Sequence, residues 1–134
     1  MRVVLDTNVL VSGIHWSGDS EKILRDWFLG KFKLISSLQI IEEYVKTLAS
    51  FKVPMDFKYI SWWESLIVEK VILVMPKGSV NIVKEDADDN KFIEAAIEGN
   101  ADYIITQDKH LLKLKEFKGI KIVTPKEFLK LFNE

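Results

Sequence analysis

The chain opens on an unbroken apolar run. Val3, Val4 and Leu5 show no polar alternation, and the run ends on Asp6. A strand apolar on both faces is buried on both faces, as in a parallel sheet. Similar runs return at residues 32–36, 71–75, 103–106 and 120–123. Between them the apolar period becomes helical. Ile23, Leu24, Trp27 and Phe28 follow a cap at Asp19 or Ser20 and stop at Gly30. Leu38, Ile41, Tyr44, Val45 and Leu48 share one face behind a cap at Ser36 or Ser37. Asp56 can cap a helix to about residue 69, rich in Phe57, Tyr59, Trp62 and Trp63 and apolar nearly all round. That helix reads first as core, and second as one that also covers a partner subunit. Phe92, Ile93, Ala95, Ala96 and Ile97 mark a helix closed by Gly99, and residues 111–117 a short one. Thr124, Pro125 and Glu127 combine cap, first-turn proline and third-position glutamate. Residues 9–18, with Ser12, Gly13, Ser17 and Gly18, read as a loop or a short turn of helix, and residues 76–83 as a loop. Strands therefore alternate with helices throughout. The expected fold is α/β: a single three-layer domain over residues 1–134, with a parallel five-stranded sheet, helices on both faces and right-handed crossovers.

Composition narrows the class. A chain of 134 residues, 48% hydrophobic and 29% charged, fits one soluble globular domain. No apolar run is long enough to span a bilayer, and the N-terminus enters the first strand without a signal peptide. There is no cysteine, which excludes disulfides and thiolate zinc sites and fits a cytoplasmic location. The formal net charge is −1, so a polyanionic partner would have to be met by local lysines.

The acids change the picture further. Asp6 ends strand 1 at the sheet's carboxyl edge, where open α/β sheets bind ligands. Glu43 lies early in the helix after strand 2, Asp89 opens the helix before strand 4, and Asp108 sits just past strand 4. Strands 1 and 4 are expected neighbours, which places Asp6 beside Asp108. Each acid alone has a plainer reading: Asp6 and Asp89 as helix caps, Glu43 as a solvated helix residue, Asp108 as a turn aspartate. Together they point to a cation, because crowded carboxylates repel unless one sits between them. Oxygen-only donors select Mg²⁺ or Mn²⁺, and two such ions can flank a phosphodiester. His15 and His110 are the only histidines, and neither belongs to this acid set.

The segments VLDTNVLVS, SSLQIIEEYVKTL, EDADDNKFIEAA and ADYIITQDKHLL, in this order, resemble PIN-domain ribonucleases. The nearest type is the single-domain toxin of VapBC toxin–antitoxin systems, and the resemblance covers essentially the whole chain. It implies that Asp6 is the first acid, braced by Thr7 and Asn8. It implies Glu43, ahead of Tyr44, as the glutamate, with Glu42 as fallback. For the third acid Asp88 and Asp89 compete; the spacing to Phe92 and Ala96 favours Asp89, with Asp86 assisting. Asp108 in Thr-x-Asp is the fourth, supported by Thr106. The implied activity is metal-dependent endonucleolytic cleavage of RNA, by a homodimer or higher homo-oligomer, often with a cognate antitoxin whose tail blocks the active site. The chain departs from the pattern in not being basic. Lys91 and Lys109, beside Asp89 and Asp108, are the candidate phosphate contacts; pairing with nearby acids is the equally weighted alternative.

Other readings fit less well. A haloacid-dehalogenase phosphatase needs a second Asp where Asn8 stands. A receiver domain needs an Asp ending strand 3, where Met75 and Pro76 stand. A nucleotide-binding module needs a glycine-rich loop after strand 1. The alternatives that remain are a non-catalytic RNA-binding module of PIN-like fold and an RNA-processing nuclease outside a toxin–antitoxin pair.

Overall fold

A parallel sheet forms around the first strand. The computed structural model describes residues 1–53, 55–77 and 89–133. Its elements are β1 (Arg2–Leu5), α1 (Thr7–His15), α2 (Asp19–Phe28), β2 (Lys33–Ser37), α3 (Leu38–Ser50) and α4 (Phe57–Lys70). They continue with β3 (Ile72–Val74), α5 (Asn90–Glu98), β4 (Tyr103–Ile105), α6 (Lys109–Leu112), β5 (Glu116–Phe117), β6 (Ile120–Val123) and α7 (Pro125–Phe132). The strand order is β3-β2-β1-β4-β6-β5. β1 pairs in parallel with both β2 and β4, so Val4 lies between Ile35 and Ile104. Val3, Val4 and Leu5 are all fully buried. Consecutive strand residues point to opposite faces, so both faces of the sheet are covered. α5 packs over β1, β2 and β4. From β1 the chain builds outward through β2 and β3, then returns to place β4 on the other side. The order thus reverses between β1 and β4, and in open α/β sheets the crevice at such a reversal is the binding site.

Three of the expected caps hold, whereas α2 is capped at Gly18, with no side-chain capping bond, rather than at Asp19 or Ser20. Ser37 Oγ accepts from the Ile40 amide at 3.3 Å and starts α3. Asp56 accepts from the Lys58 amide at 2.8 Å and starts α4. Thr124 and Glu127 form both bonds of a capping box, at 3.1 and 3.0 Å. α4 divides its apolar residues: Ile60, Trp63 and Ile67 are buried, whereas Phe57, Tyr59 and Trp62 are exposed.

Three expectations differ from the structure. The sheet among the described residues has six strands rather than five, because Glu116 and Phe117 pair antiparallel with β6. The short helix expected over residues 111–117 instead starts at Lys109 and ends at Leu112. The segment read as a loop or a short turn of helix is a nine-residue helix, α1. Its Gly13 is there for space. A Cβ at that position would sit 2.7 Å from Leu24 Cδ1 and 2.8 Å from the Ser20 carbonyl oxygen, so glycine lets α1 and α2 approach. Residues 78–83 of the expected loop, with Asp86 and Asp88, lie outside the described residues. No helix among the described residues is long and apolar enough to cross a membrane.

Candidate active site

At the end of β1, Asp6 is 5% exposed. It holds the N-cap position of α1, yet its side chain makes no capping hydrogen bond. Asp6 Oδ2 accepts instead from the Thr106 hydroxyl at 2.6 Å. The same hydroxyl oxygen accepts the Asp108 backbone N–H at 2.9 Å. Thr106 is fully buried and follows β4, so one hydroxyl bolts the acid of β1 to the chain that carries the acid of β4. Burial pushes the Asp6 carboxyl above its ordinary pKa. Hydrogen bonds from the Thr106 hydroxyl and the Thr7 amide pull it back, while the charges of Asp108 and Glu43 push it further up. Burial is thus the main reason that Asp6 resists ionisation, and the neighbouring acids add to it.

Glu43 reaches this cluster because Tyr44 anchors α3. Tyr44 is fully buried, and its hydroxyl donates to the Leu5 carbonyl at 2.5 Å. Burial and the charges of Asp6 and Glu43 drive that hydroxyl far above its usual range, so it stays protonated. With Tyr44 directed at β1, the preceding Glu43 turns to the site and Glu42 to solvent. Glu43 Oε2 accepts from the Thr7 hydroxyl. Its Oε1 accepts from Lys91 Nζ at 2.6 Å. Of the two glutamates weighed from sequence, the structure brings in Glu43. Thr7 meets the acids twice, through its amide to Asp6 and its hydroxyl to Glu43. Asn8 is exposed and borders a recess of about 480 Å³ with Trp16, Thr47, Ser50, Phe51 and Lys52.

Asp89 is buried at the start of α5 and, like Asp6, makes no side-chain capping bond. Asp108 does cap: its Oδ1 accepts the His110 amide at 2.8 Å and starts α6. Asp89, Asp108 and His110 each place one donor atom so that all lie within 4.8 Å of one another. His110 is the residue that sequence reading left out. The signal available was its position two residues after Asp108, on a helix that starts sooner than its apolar pattern suggests. Of the two lysines, Lys91 is drawn into an ion pair with Glu43 and is only 13% exposed, whereas Lys109 is exposed at the rim. The donor set suits a divalent cation. Hard carboxylate oxygens dominate it, and Asp89 and Asp108, with His110, bring donor atoms within 4.8 Å of one another, while Asp6 feels the charge of Asp108.

The comparisons agree with this architecture. A family model described as "PIN domain" matches residues 2–110. An uncharacterized protein of Methanocaldococcus jannaschii is 33% identical over 150 aligned positions, covering 100% of this chain and 93% of that protein. Among solved structures, the fold is shared with VapBC-1 from nontypeable Haemophilus influenzae at a TM-score of 0.63 and 17% identity, over 94% of this chain and 99% of that one. It is shared also with VapBC2 from Rickettsia felis bound to a DNA fragment from their promoter, at a TM-score of 0.61 and 13% identity, over 91% and 97%. For FitAcB from Neisseria gonorrhoeae the TM-score is 0.56 at 13% identity, over 92% and 97%. With a family model matched across most of its length, a relative aligned end to end and acids gathered at the sheet's reversal point, the chain belongs to the PIN domain family.

Proposed function

We propose that this chain is a divalent-metal-dependent endoribonuclease and the toxin component of a toxin–antitoxin pair acting in the cytoplasm. Two observations carry the reading: the Thr106 hydroxyl ties Asp6 to the Asp108 backbone at the β1–β4 reversal, with Glu43 close enough to act on Asp6, and Asp108 shares a donor cluster with Asp89. Asp6, Asp89 and Asp108 would hold Mg²⁺ or Mn²⁺, with Glu43 completing the acidic wall. A divalent ion bound there supplies a more acidic water and neutralises charge developing on the phosphate. The protein's own groups do the rest. Thr106 keeps Asp6 aimed at the crevice, and Thr7 with Lys91 stops Glu43 from swinging away. Lys109, exposed beside Asp108, is placed to meet a phosphate of the RNA strand. Cleavage by water rather than by the ribose hydroxyl leaves 5′-phosphate and 3′-hydroxyl ends.

The partner assignment draws on the fold shared with VapBC and FitAcB complexes. It draws also on α4, whose exposed Phe57, Tyr59 and Trp62 are more apolar surface than a lone helix face exposes without cause. Tyr59 and Trp62, with Asp56 and Lys58, line a recess of about 530 Å³, which we assign to contact with a second copy of the chain. The test is purified protein with end-labelled RNA, in Mn²⁺ or in EDTA. Metal-dependent fragments with 5′-phosphate ends are expected. RNA bound but uncut in either condition would favour a binding module, and 2′,3′-cyclic phosphate ends would refute attack by water.

A further inference from the structure

We propose that His110 is a further donor at the cation site, joining the acids to make a mixed oxygen–nitrogen site that prefers transition-metal ions to Mg²⁺. The inference rests on the reading that these acids hold a divalent ion, and it adds a residue outside the acid set. Three features carry it. First, donor atoms of Asp89, Asp108 and His110 all lie within 4.8 Å of one another. Around one ion with bonds of about 2.1–2.2 Å, donors sit about 3 Å apart when adjacent and about 4.3 Å when opposite. The limit of 4.8 Å is about 0.5 Å beyond the opposite-donor distance, so the three side chains would draw together to share one ion. Second, His110 Nδ1 lies 3.7 Å from Asp108 Oδ1. That is too long for a hydrogen bond, yet inside the range of two donors sharing an ion. Third, the local chain aims the ring. Asp108 Oδ1 accepts the His110 amide, and this cap fixes the first turn of α6 with the imidazole on the Asp108 side.

An imidazole changes which ion is favoured. Mg²⁺ takes oxygen donors almost exclusively, whereas a ring nitrogen strengthens binding in the order Mn²⁺, Co²⁺, Ni²⁺. The competing account is that His110 only pairs electrostatically with Asp108. In that case it competes with the ion, and removing it should leave metal binding unchanged or tighter. The two accounts thus predict opposite signs.

The experiment is calorimetric titration of the metal-free full chain with Mg²⁺, Mn²⁺ and Co²⁺. It compares wild type with His110→Ala and Asp108→Asn, each checked for folding by circular dichroism. His110→Ala is expected to weaken Co²⁺ binding about 10-fold or more and Mg²⁺ binding less than about 3-fold, with a changed Co²⁺ visible absorption spectrum. Equal or tighter Co²⁺ binding in His110→Ala overturns the assignment of His110 alone. Asp108→Asn should weaken every ion. Undiminished binding in that variant would sink the cation reading of the acids, and a wild type that binds none of the ions would sink both.

Discussion

Replacing Thr106 by valine would test how the acids are held. Valine keeps the shape but removes the hydroxyl that donates to Asp6 Oδ2 at 2.6 Å and accepts the Asp108 amide at 2.9 Å. A hydrogen bond to a carboxylate contributes about 1.5–3 kcal/mol and a neutral one about 0.5–1.5 kcal/mol, so the variant should lose about 2–4 kcal/mol. Thr106→Ser keeps both bonds and loses one buried methyl, costing about 1 kcal/mol. Urea unfolding of metal-free protein at pH 7 separates them. The pH dependence has a definite sign. Asp6 titrates above its ordinary value in the folded state, so its ionisation costs stability above that folded pKa, and the cost is relieved as pH falls toward the unfolded value. The Thr106 bond lowers that pKa. Its loss should therefore weigh most at neutral pH, and the gap to wild type should narrow as pH falls through the Asp6 titration. A valine variant as stable as the serine one, or a gap independent of pH, would refute the idea that this hydroxyl holds a charged Asp6.

Asp108→Asn should abolish cleavage yet melt in EDTA at or above the wild-type temperature. Asparagine caps α6 as well as aspartate does, and one charge leaves the neighbourhood of Asp6. Asp108→Ala also loses the cap and should melt lower, by about 1 kcal/mol; equal losses in both variants would mean that the charge, not the cap, is structural. Lys109→Ala should flatten the slope of log K against log salt by about 0.7 on single-stranded RNA, and an unchanged slope would remove it as a phosphate contact. Gly13→Ala should destabilise the protein by about 1–2 kcal/mol in urea, since its Cβ would meet the Ser20 carbonyl at 2.8 Å; a neutral or stabilising effect would mean that α1 and α2 part without cost.

Much of the frame was legible because its signals are local. The unalternating run 3–5 announced a strand buried on both faces, and β1 lies between β2 and β4 with those residues fully buried. Ser37, Asp56 and Thr124 announced their helices and cap them. What was missed depends on contacts between distant elements. Ser12 and Gly13 look like turn residues, and only the presence of α2 against Gly13 explains a helix there. The two-residue β5 is too short to show a period, and its pairing with β6 defines it. The site followed the same division. The positions of Asp6 and Asp108 follow from strand ends. That Lys91 turns to Glu43, and that His110 reaches Asp89, are facts of tertiary packing across three chain segments.

The central claim is that the acids of β1, α5 and the β4–α6 turn form one cation site. Diffraction from crystals soaked in Mn²⁺, recorded at the manganese absorption edge, tests it most directly. The account predicts an anomalous peak bounded by Asp89, Asp108 and Asp6, lost when Asp108 is replaced by asparagine. A peak elsewhere, or none in crystals of protein that still cleaves RNA in Mn²⁺, would contradict it.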